Sequence, residues 1–358
     1  MQPRILLAGI AKNEGAYLPE WIYHHLSIGV AGVMVYVNNT SDNSVAVLDK
    51  IQTKHPVNYR VVDGIEKSED DLIKQRLTER FINYYPLQSK SYADIYNKTD
   101  PREYDYILFL DIDEFLLLDK KLSTLYSEGL FNSPIINFRW FCATGDNAPF
   151  RLLSECTKGE YDQFCKCMVK TGLADIKISS PHAAISEKHE SNYYNKALVL
   201  HRVLRSKEEY LALIARSDPT RKNLSNVLKL NRRGWTKKFS ERLPKKYAYI
   251  FDNYEQNFEG FCQKTELTEA LNDAQDMVLD RAKNVRDQVT LLRQQNMAFG
   301  RVLGGTGIHH FKFFPLLKEE IKNKLISLFF PSLIIKHVPF FNHLKYKLKL
   351  TKKDKFMD

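Results

Sequence analysis

The chain has 358 residues, 44% hydrophobic and 27% charged, with a formal net charge of +10. That balance excludes a disordered or fibrous chain and leaves room for one large domain with additions, or for two. The five cysteines (Cys142, Cys156, Cys165, Cys167, Cys262) are odd in number and lack zinc spacing, so reduced thiols in a cytosolic compartment are expected.

Residues 4–10 read as a short apolar strand, entered without a charged-then-apolar leader, so no signal peptide is expected. A helix follows over about residues 16–28, with apolar positions at Leu18, Trp21, Ile22, His25 and Leu26 and a stop at Gly29. Residues 33–37 form a second strand. The small polar turn from Asn38 to Ser44 then leads into a helix over 45–53. A third strand covers 59–63, a helical pattern 70–85, and a fourth strand starts at Asp105. Strands alternating with helices predict a parallel, doubly wound α/β sheet with right-handed crossovers. Short strands are expected at 134–141, 165–170, 175–179 and 197–203. Ser206 and Glu209 have the spacing of a capping box for a helix over 207–216. Beyond that the chain reads as mainly helical to about residue 299, then basic and aromatic. The expected division is 1–216, 217–300 and 301–358. No uncharged run reaches the ~18 residues of a membrane-spanning helix.

The stretch with the most chemistry is Tyr106-Ile107-Leu108-Phe109-Leu110-Asp111-Ile112-Asp113-Glu114-Phe115. An apolar run of this kind predicts a strand buried on both faces. Burying unpaired charge is costly, so the acids belong at the strand's carboxyl end, where open α/β sheets bind ligands. Asp111 and Asp113 are two apart and would point the same way in a strand. Two converging carboxylates suit a hard cation such as Mn²⁺ or Mg²⁺ that holds a phosphate.

Four segments also carry a resemblance. They are Ile10-Ala11-Lys12-Asn13-Glu14 with Glu20-Trp21 and His24-His25 downstream; Asp111-Ile112-Asp113-Glu114-Phe115; Lys166-x-x-Val169 with the later Pro181-His182; and Leu200-His201-Arg202-x-x-Arg205-Ser206-x-x-Glu209-Tyr210. In order and spacing this set resembles glycosyltransferases of the family 2 and family 92 type, over about residues 4–216. The resemblance implies a GT-A fold, a nucleotide-sugar-binding α/β sheet with an acceptor-binding half. It implies that Asp111 and Asp113 bind a divalent cation on the donor's diphosphate. Ala8, Lys12, Asn13 and Glu14 would lie near the base and ribose. The second turn departs from the common Asp-Asp-Gly-Ser-Thr-Asp of family 2, since here Asn38-Asn39-Thr40-Ser41-Asp42 lacks the leading acids and keeps Asp42. Asn39, Asp42 and Gln75 join the donor-side candidates. Arg205 stands where Lys is usual and keeps a cation for a phosphate.

His182 is the candidate third metal ligand, ahead of His201 and His309. Asp146 and Glu155, after the acidic strand, are the candidate bases. Gly145 beside Asp146 would let backbone approach a ligand closely. Glu114 is expected to serve structure, while Lys166, Arg139 and Arg205 are candidate diphosphate or acceptor contacts. Residues 301–358 hold 12 Lys/Arg against 4 Asp/Glu, and residues 229–246 hold 8 basic residues and one acid. The tail mixes Leu, Ile and Phe with Lys, which suits contact with an anionic membrane surface. The function expected is metal-dependent sugar transfer from a nucleotide sugar to a glycan or lipid-linked glycan, in lipopolysaccharide or surface polysaccharide synthesis. The location expected is cytoplasmic, peripheral on the inner membrane face. No nucleic-acid partner is expected. The alternatives are a basic nucleic-acid-binding protein, for which no recognised motif is present, and a non-catalytic GT-A-like scaffold.

Overall fold

The computed structural model describes residues 3–146, 148–215, 234–235, 240–295, 302–303 and 305–306. The opening alternation is as expected: β1 (Ile5–Ala11), α1 (Leu18–Ser27), β2 (Gly32–Val37), α2 (Ser44–Gln52) and β3 (Val57–Val61). Gly29 follows α1 with φ 101°, a conformation that closes a helix at little cost only for glycine. The helical pattern over 70–85 is not one helix. It breaks into α3 (Asp71–Gln75) and α4 (Glu79–Tyr84), and α5 (Pro86–Lys98) follows. Leu77 leaves the helix to bridge Ile178, and Thr78 N donates to Ile178 O at 3.2 Å. Pro86, which has no amide hydrogen to give, begins a new helix rather than continuing one.

Next come β4 (Tyr106–Phe109), β5 (Glu114–Leu118), α6 (Leu122–Ser127), β6 (Ile135–Ala143), β7 (Lys158–Lys170) and the hairpin β8 (Lys177–Ser180) and β9 (Ala183–Ile185). The rest are β10 (Ser191–Tyr193), β11 (Ala197–His201), α7 (Lys207–Ala215), β12 (Glu241–Arg242), α8 (Tyr254–Lys264) and α9 (Thr268–Gln295). The capping box is present: Ser206 N donates to Glu209 Oε2 at 2.9 Å and Glu209 N to Ser206 Oγ at 3.2 Å.

The main sheet runs β3-β2-β1-β4-β7-β6-β11-β5, with β10 on β6 and β12 on β7. The β3-β2-β1-β4 half is parallel. β7 then pairs antiparallel with both β4 and β6, and β5 pairs antiparallel with β11. This is the expected α/β class, with a parallel doubly wound half and a mixed half. Side chains alternate across β1, placing Ile5 and Leu7 in one core with Trp21, Val47 and Leu48. Leu6 and Ala8 lie in the other, with Phe81, Tyr92 and Phe109. Tyr254, Phe258 and Phe261 of α8 join the first core. A third core joins α7 to α9 through Leu211, Ile214, Ala274 and Val278. Among the described residues no helix is long and apolar enough to cross a membrane. His309 and the basic tail lie outside the described residues, as does most of the 229–246 stretch.

The acidic run corrects the one-strand expectation. Residues 110–113 leave the ladder between β4 and β5, and the two apolar pieces pair with different neighbours. Asp111 and Asp113 therefore sit in a turn, where period-two alternation does not apply. The turn lifts the carboxylates out of a ladder in which they would be desolvated.

β5 lies at the sheet margin, and α1 covers its free edge. Trp21 Nε1 donates to Glu114 O at 3.0 Å, and His24 Nε2 lies 2.8 Å from Leu116 O. Leu116 N donates to His25 Nε2 at 3.1 Å, so the His25 proton sits on Nδ1, which faces Trp21 O at 2.8 Å. Side chains thus supply the partners that a further strand would give. Burial pushes His24 down to about 4 and His25 well below the ordinary histidine value.

Candidate active site

The strand order reverses between β1 and β4, and both strands run the same way. Their carboxyl ends therefore place the β1 loop beside the acidic turn, at the switch point where open sheets form a ligand crevice.

Asp111 is held on several sides. Its Oδ2 lies 3.0 Å from Lys166 Nζ, and its Oδ1 accepts from Gln88 Nε2 at 3.0 Å. Its amide donates to Glu114 Oε2 at 2.9 Å, and that same oxygen is 3.1 Å from Lys166 Nζ. Glu114 thus serves structure, as expected. Lys166 is fully buried, which removes it from direct contact with a diphosphate in this arrangement. Burial raises the Glu114 carboxyl to about 7, against the pull of Lys166. Burial also opposes the Lys166 charge, but Asp111 and Glu114 hold its pKa well above the ordinary lysine range. The Asp111 side chain stays 38% exposed, so it faces both this buried cation and solvent.

Asp113 turns toward β11: its Oδ2 lies 3.6 Å from His201 Nε2. Burial works against a charged His201, yet Asp113 raises it to about 10. His182 is half-buried, stacked on Phe164 and edge-on to Trp140, and burial pushes it down to about 4. Among the described residues no three His, Cys, Asp or Glu groups converge as a ready-made metal cluster. Two carboxylates in a partly exposed turn match the oxygen donors that a hard dication takes, with substrate phosphate and water completing its shell.

The donor-side candidates form a second cluster. Asn13, at φ 55°, uses its side-chain oxygen to accept from Ser41 N (2.6 Å), Asp42 N (3.2 Å) and Thr40 Oγ1 (3.1 Å). Asp42 Oδ2 accepts from Gly15 N at 3.0 Å and its Oδ1 from Ser44 N at 3.0 Å. Asn13 and Asp42 thus tie the loops after β1 and β2 together. Asn39, at φ 46°, donates its amide to Asp63 Oδ1 at 2.6 Å. Ala8 is fully buried, with its carbonyl on Leu110 N at 3.0 Å, and Lys12 is half-buried in the β1 loop. Gln75 is exposed at the end of α3.

Glu14 meets Arg205 at 3.6 Å, and the Arg205 guanidinium lies 3.4 Å over the Tyr17 ring. Arg205 adopts φ 51°, a strained backbone for a non-glycine residue. Beside it, buried Arg202 bridges Glu20 Oε2 and Asp146 Oδ2, each at 3.2 Å. Burial raises both carboxyls above their ordinary values. Glu155 is exposed and locally bound, its carboxylate on Arg151 at 2.9 Å and on Leu152 N at 3.0 Å. Gly145 admits a protein group: an added Cβ would lie 2.7 Å from the Trp235 indole. The close approach expected there is thus made by Trp235, whose Nε1 donates to Arg205 O at 3.1 Å.

Gln88, Tyr92 and Trp140 stand at the site without any local sequence signal. Glu20 and Arg202 carried only their place in matched segments.

No family model and no curated protein matches this chain. Among solved structures it is similar to residues 1–349 of S. aureus TarS in complex with UDP, at 12% identity and TM-score 0.33, over 82% of this chain and 92% of that one. It is also similar to HddC from Yersinia pseudotuberculosis, at 10% identity and TM-score 0.25, over 56% and 77%. The galactosyltransferase LgtC in complex with donor and acceptor sugar analogs matches at 14% identity and TM-score 0.22, over 46% and 57%. Likeness at these scores carries no argument about activity.

Proposed function

We propose that this chain is a glycosyltransferase that moves a sugar from a nucleotide-sugar donor to a glycan acceptor. The observation that carries the reading is the acidic turn at the carboxyl end of β4, beside the loop that closes β1. In this reading Asp111 and Asp113 would hold Mn²⁺ or Mg²⁺, which would supply positive charge to the donor's diphosphate. Lys12, Asn13, Glu14, Asn39 and Asp42 shape the wall for the base and ribose, with Gln75 a further donor-side candidate. Arg205 supplies a positive charge on the diphosphate side.

Asp146 suits the role of base better than Glu155. It is buried, its carboxyl is raised by burial, and its amide donates to Arg205 O at 2.9 Å. Its release from Arg202 would accompany acceptor binding. His182 is near enough to Asp111 for their charges to interact, and it stays the candidate third ligand. The matched segments and the basic, apolar tail favour lipopolysaccharide or surface polysaccharide as the product, made against an anionic membrane face.

The test is a thermal-shift screen of nucleotide sugars with and without Mn²⁺, because a ligand bound only by the native state raises stability. A donor that stabilises the wild type only with Mn²⁺, but stabilises neither Asp111→Asn nor Asp113→Asn, is the expected result. Equal shifts in all three proteins would sink the reading.

A further inference from the structure

A chain of rings leads from solvent to the acidic turn. Phe164 is 46% exposed. Its ring stacks on His182 at 5.2 Å and tilts against Trp140 at 5.6 Å. Trp140 meets His182 edge-on at 4.9 Å and His201 at 4.4 Å. His201 in turn faces Asp113 at 3.6 Å.

Two further observations single this cluster out. The β6–β7 pairing slips opposite Trp140: Arg139 pairs with Cys165, but Phe141 pairs with Tyr161. The extra β7 residues make a bulge from Asp162 to Phe164, pinned by Phe164 N on Asp162 Oδ1 at 3.0 Å and Arg139 Nε on Asp162 O at 3.2 Å. A bulge leaves the pleat and re-aims a side chain, here sending Phe164 onto the other rings. In addition, Trp140 Nε1 is buried without a hydrogen-bond partner, while the His182 ring leans on the Cys165 backbone and the His201 ring on the Cys142 side chain. An unpaired buried donor costs roughly 1–3 kcal/mol, so the indole N–H of Trp140 calls for an explanation.

We propose that Phe164, Trp140 and His182 form the acceptor subsite, taking a sugar ring of the glycan acceptor on the Phe164 face. The inference rests on the transferase reading and specifies where its acceptor lies. The C–H face of a pyranose packs on an aromatic plane, and its hydroxyls are groups that can accept from an indole N–H such as that of Trp140. The position fits that reading, since the ring chain ends at Asp113, one of the two carboxylates the reading assigns to the cation on the donor's diphosphate.

The chain has three tryptophans, Trp21, Trp140 and Trp235, so 5-fluorotryptophan labelling gives a ¹⁹F spectrum assignable with Trp140→Phe. The full chain is titrated with malto-, cello- and chito-oligosaccharides, and transfer to any that bind is followed with the donor found in the thermal-shift screen. The expected result is a shift of the Trp140 resonance alone, with Phe164→Ala weakening that binding at least about tenfold and Phe164→Tyr restoring it. In steady state Phe164→Ala raises the acceptor KM by about tenfold or more and the donor KM less than about twofold. Wild-type transfer with no movement at Trp140, or with an acceptor KM untouched by Phe164→Ala, overturns the subsite and leaves the transferase reading intact. Saccharide shifts at Trp140 without turnover of any nucleotide sugar do the opposite.

Discussion

The amide of Arg202 donates to the carbonyl of Asp113 across 2.8 Å. Through this bond the acidic turn is fastened to a buried ion triad, because the Arg202 guanidinium lies between Glu20 of α1 and Asp146 of the loop after β6. Glu20 also accepts from Leu153 N at 2.5 Å, which draws in the segment beyond Asp146.

Replacing Arg202 by Met should therefore leave two buried carboxylates facing each other. Removing one partner of a buried ionic group costs about 3–5 kcal/mol, because it leaves charge buried and uncompensated, a cost that neutral amides in place of the carboxylates take away. Urea unfolding is expected to show the large loss for Arg202→Met. It should show recovery of most of it in the triple variant Glu20→Gln, Arg202→Met, Asp146→Asn. A triple variant as unstable as the single one would mean that Arg202 acts through packing instead.

Acid stability should bear the mark of the α1–β5 clamp. His24 has a folded pKa of about 4, below the ordinary 6.5, so the unfolded chain takes up the proton first. Stability is therefore full above about pH 6.5, falls as pH drops, and stops falling from this source below about pH 4. From His24 alone the loss at pH 5 is about 2 kcal/mol. His25, also depressed by burial, adds to it. His25→Leu should cost about 1–3 kcal/mol at pH 7, since the Leu116 amide loses its acceptor. Denaturant midpoints at pH 7 and pH 5 check both, and the His25→Leu protein should show the shallower dependence on pH.

That clamp also marks the limit of what local sequence discloses. Leu18, Trp21 and Ile22 announced the buried stripe of α1 through their spacing, and the β1-α1-β2-α2-β3 order followed from the same periodicities. His25 fell on the stripe and read as apolar. Its partner Leu116 lies 91 residues away, and nothing near either residue announces the pair. The acidic residues were visible as a site, but the division of their strand was not, because β5 exists only through its pairing with β11. Arg202 and Glu20 are 182 residues apart, so their contact was equally hidden. What was legible came from local period and capping, as with Ser206 and Glu209; what was missed came from long-range pairing.

Asn13 offers a test of loop architecture separate from chemistry. Its side-chain oxygen gathers the amides of Ser41 and Asp42, and its φ of 55° suits Asn better than most residues. Asn13→Ala should lose those bonds and gain backbone strain, for a cost of roughly 2–3 kcal/mol. Asn13→Asp keeps an acceptor in place and should retain most of the stability. Hydrogen exchange at the amides of Ser41 and Asp42 reads the local effect. Protection unchanged in Asn13→Ala would show that the second loop holds itself.

Lys166 and a divalent cation should compete for Asp111. The lysine already occupies Oδ2 at 3.0 Å, and its charge is balanced by Asp111 and Glu114 together. Lys166→Met alone leaves two carboxylates crowded at a partly buried spot and should be destabilising by about 3–5 kcal/mol. Adding Glu114→Gln removes the second charge and should restore much of that loss. In this double variant Asp111 keeps its exposed face and loses its fixed cation, so Mn²⁺ has more negative charge to meet. Because a ligand stabilises the native state by RT ln(1 + [L]/Kd), the Mn²⁺-induced rise in Tm should be larger in the double variant than in the wild type at equal metal concentration. Asp111→Asn in the same background should abolish the rise. A double variant no more responsive to Mn²⁺ than the wild type would show that lysine and metal do not share this carboxylate.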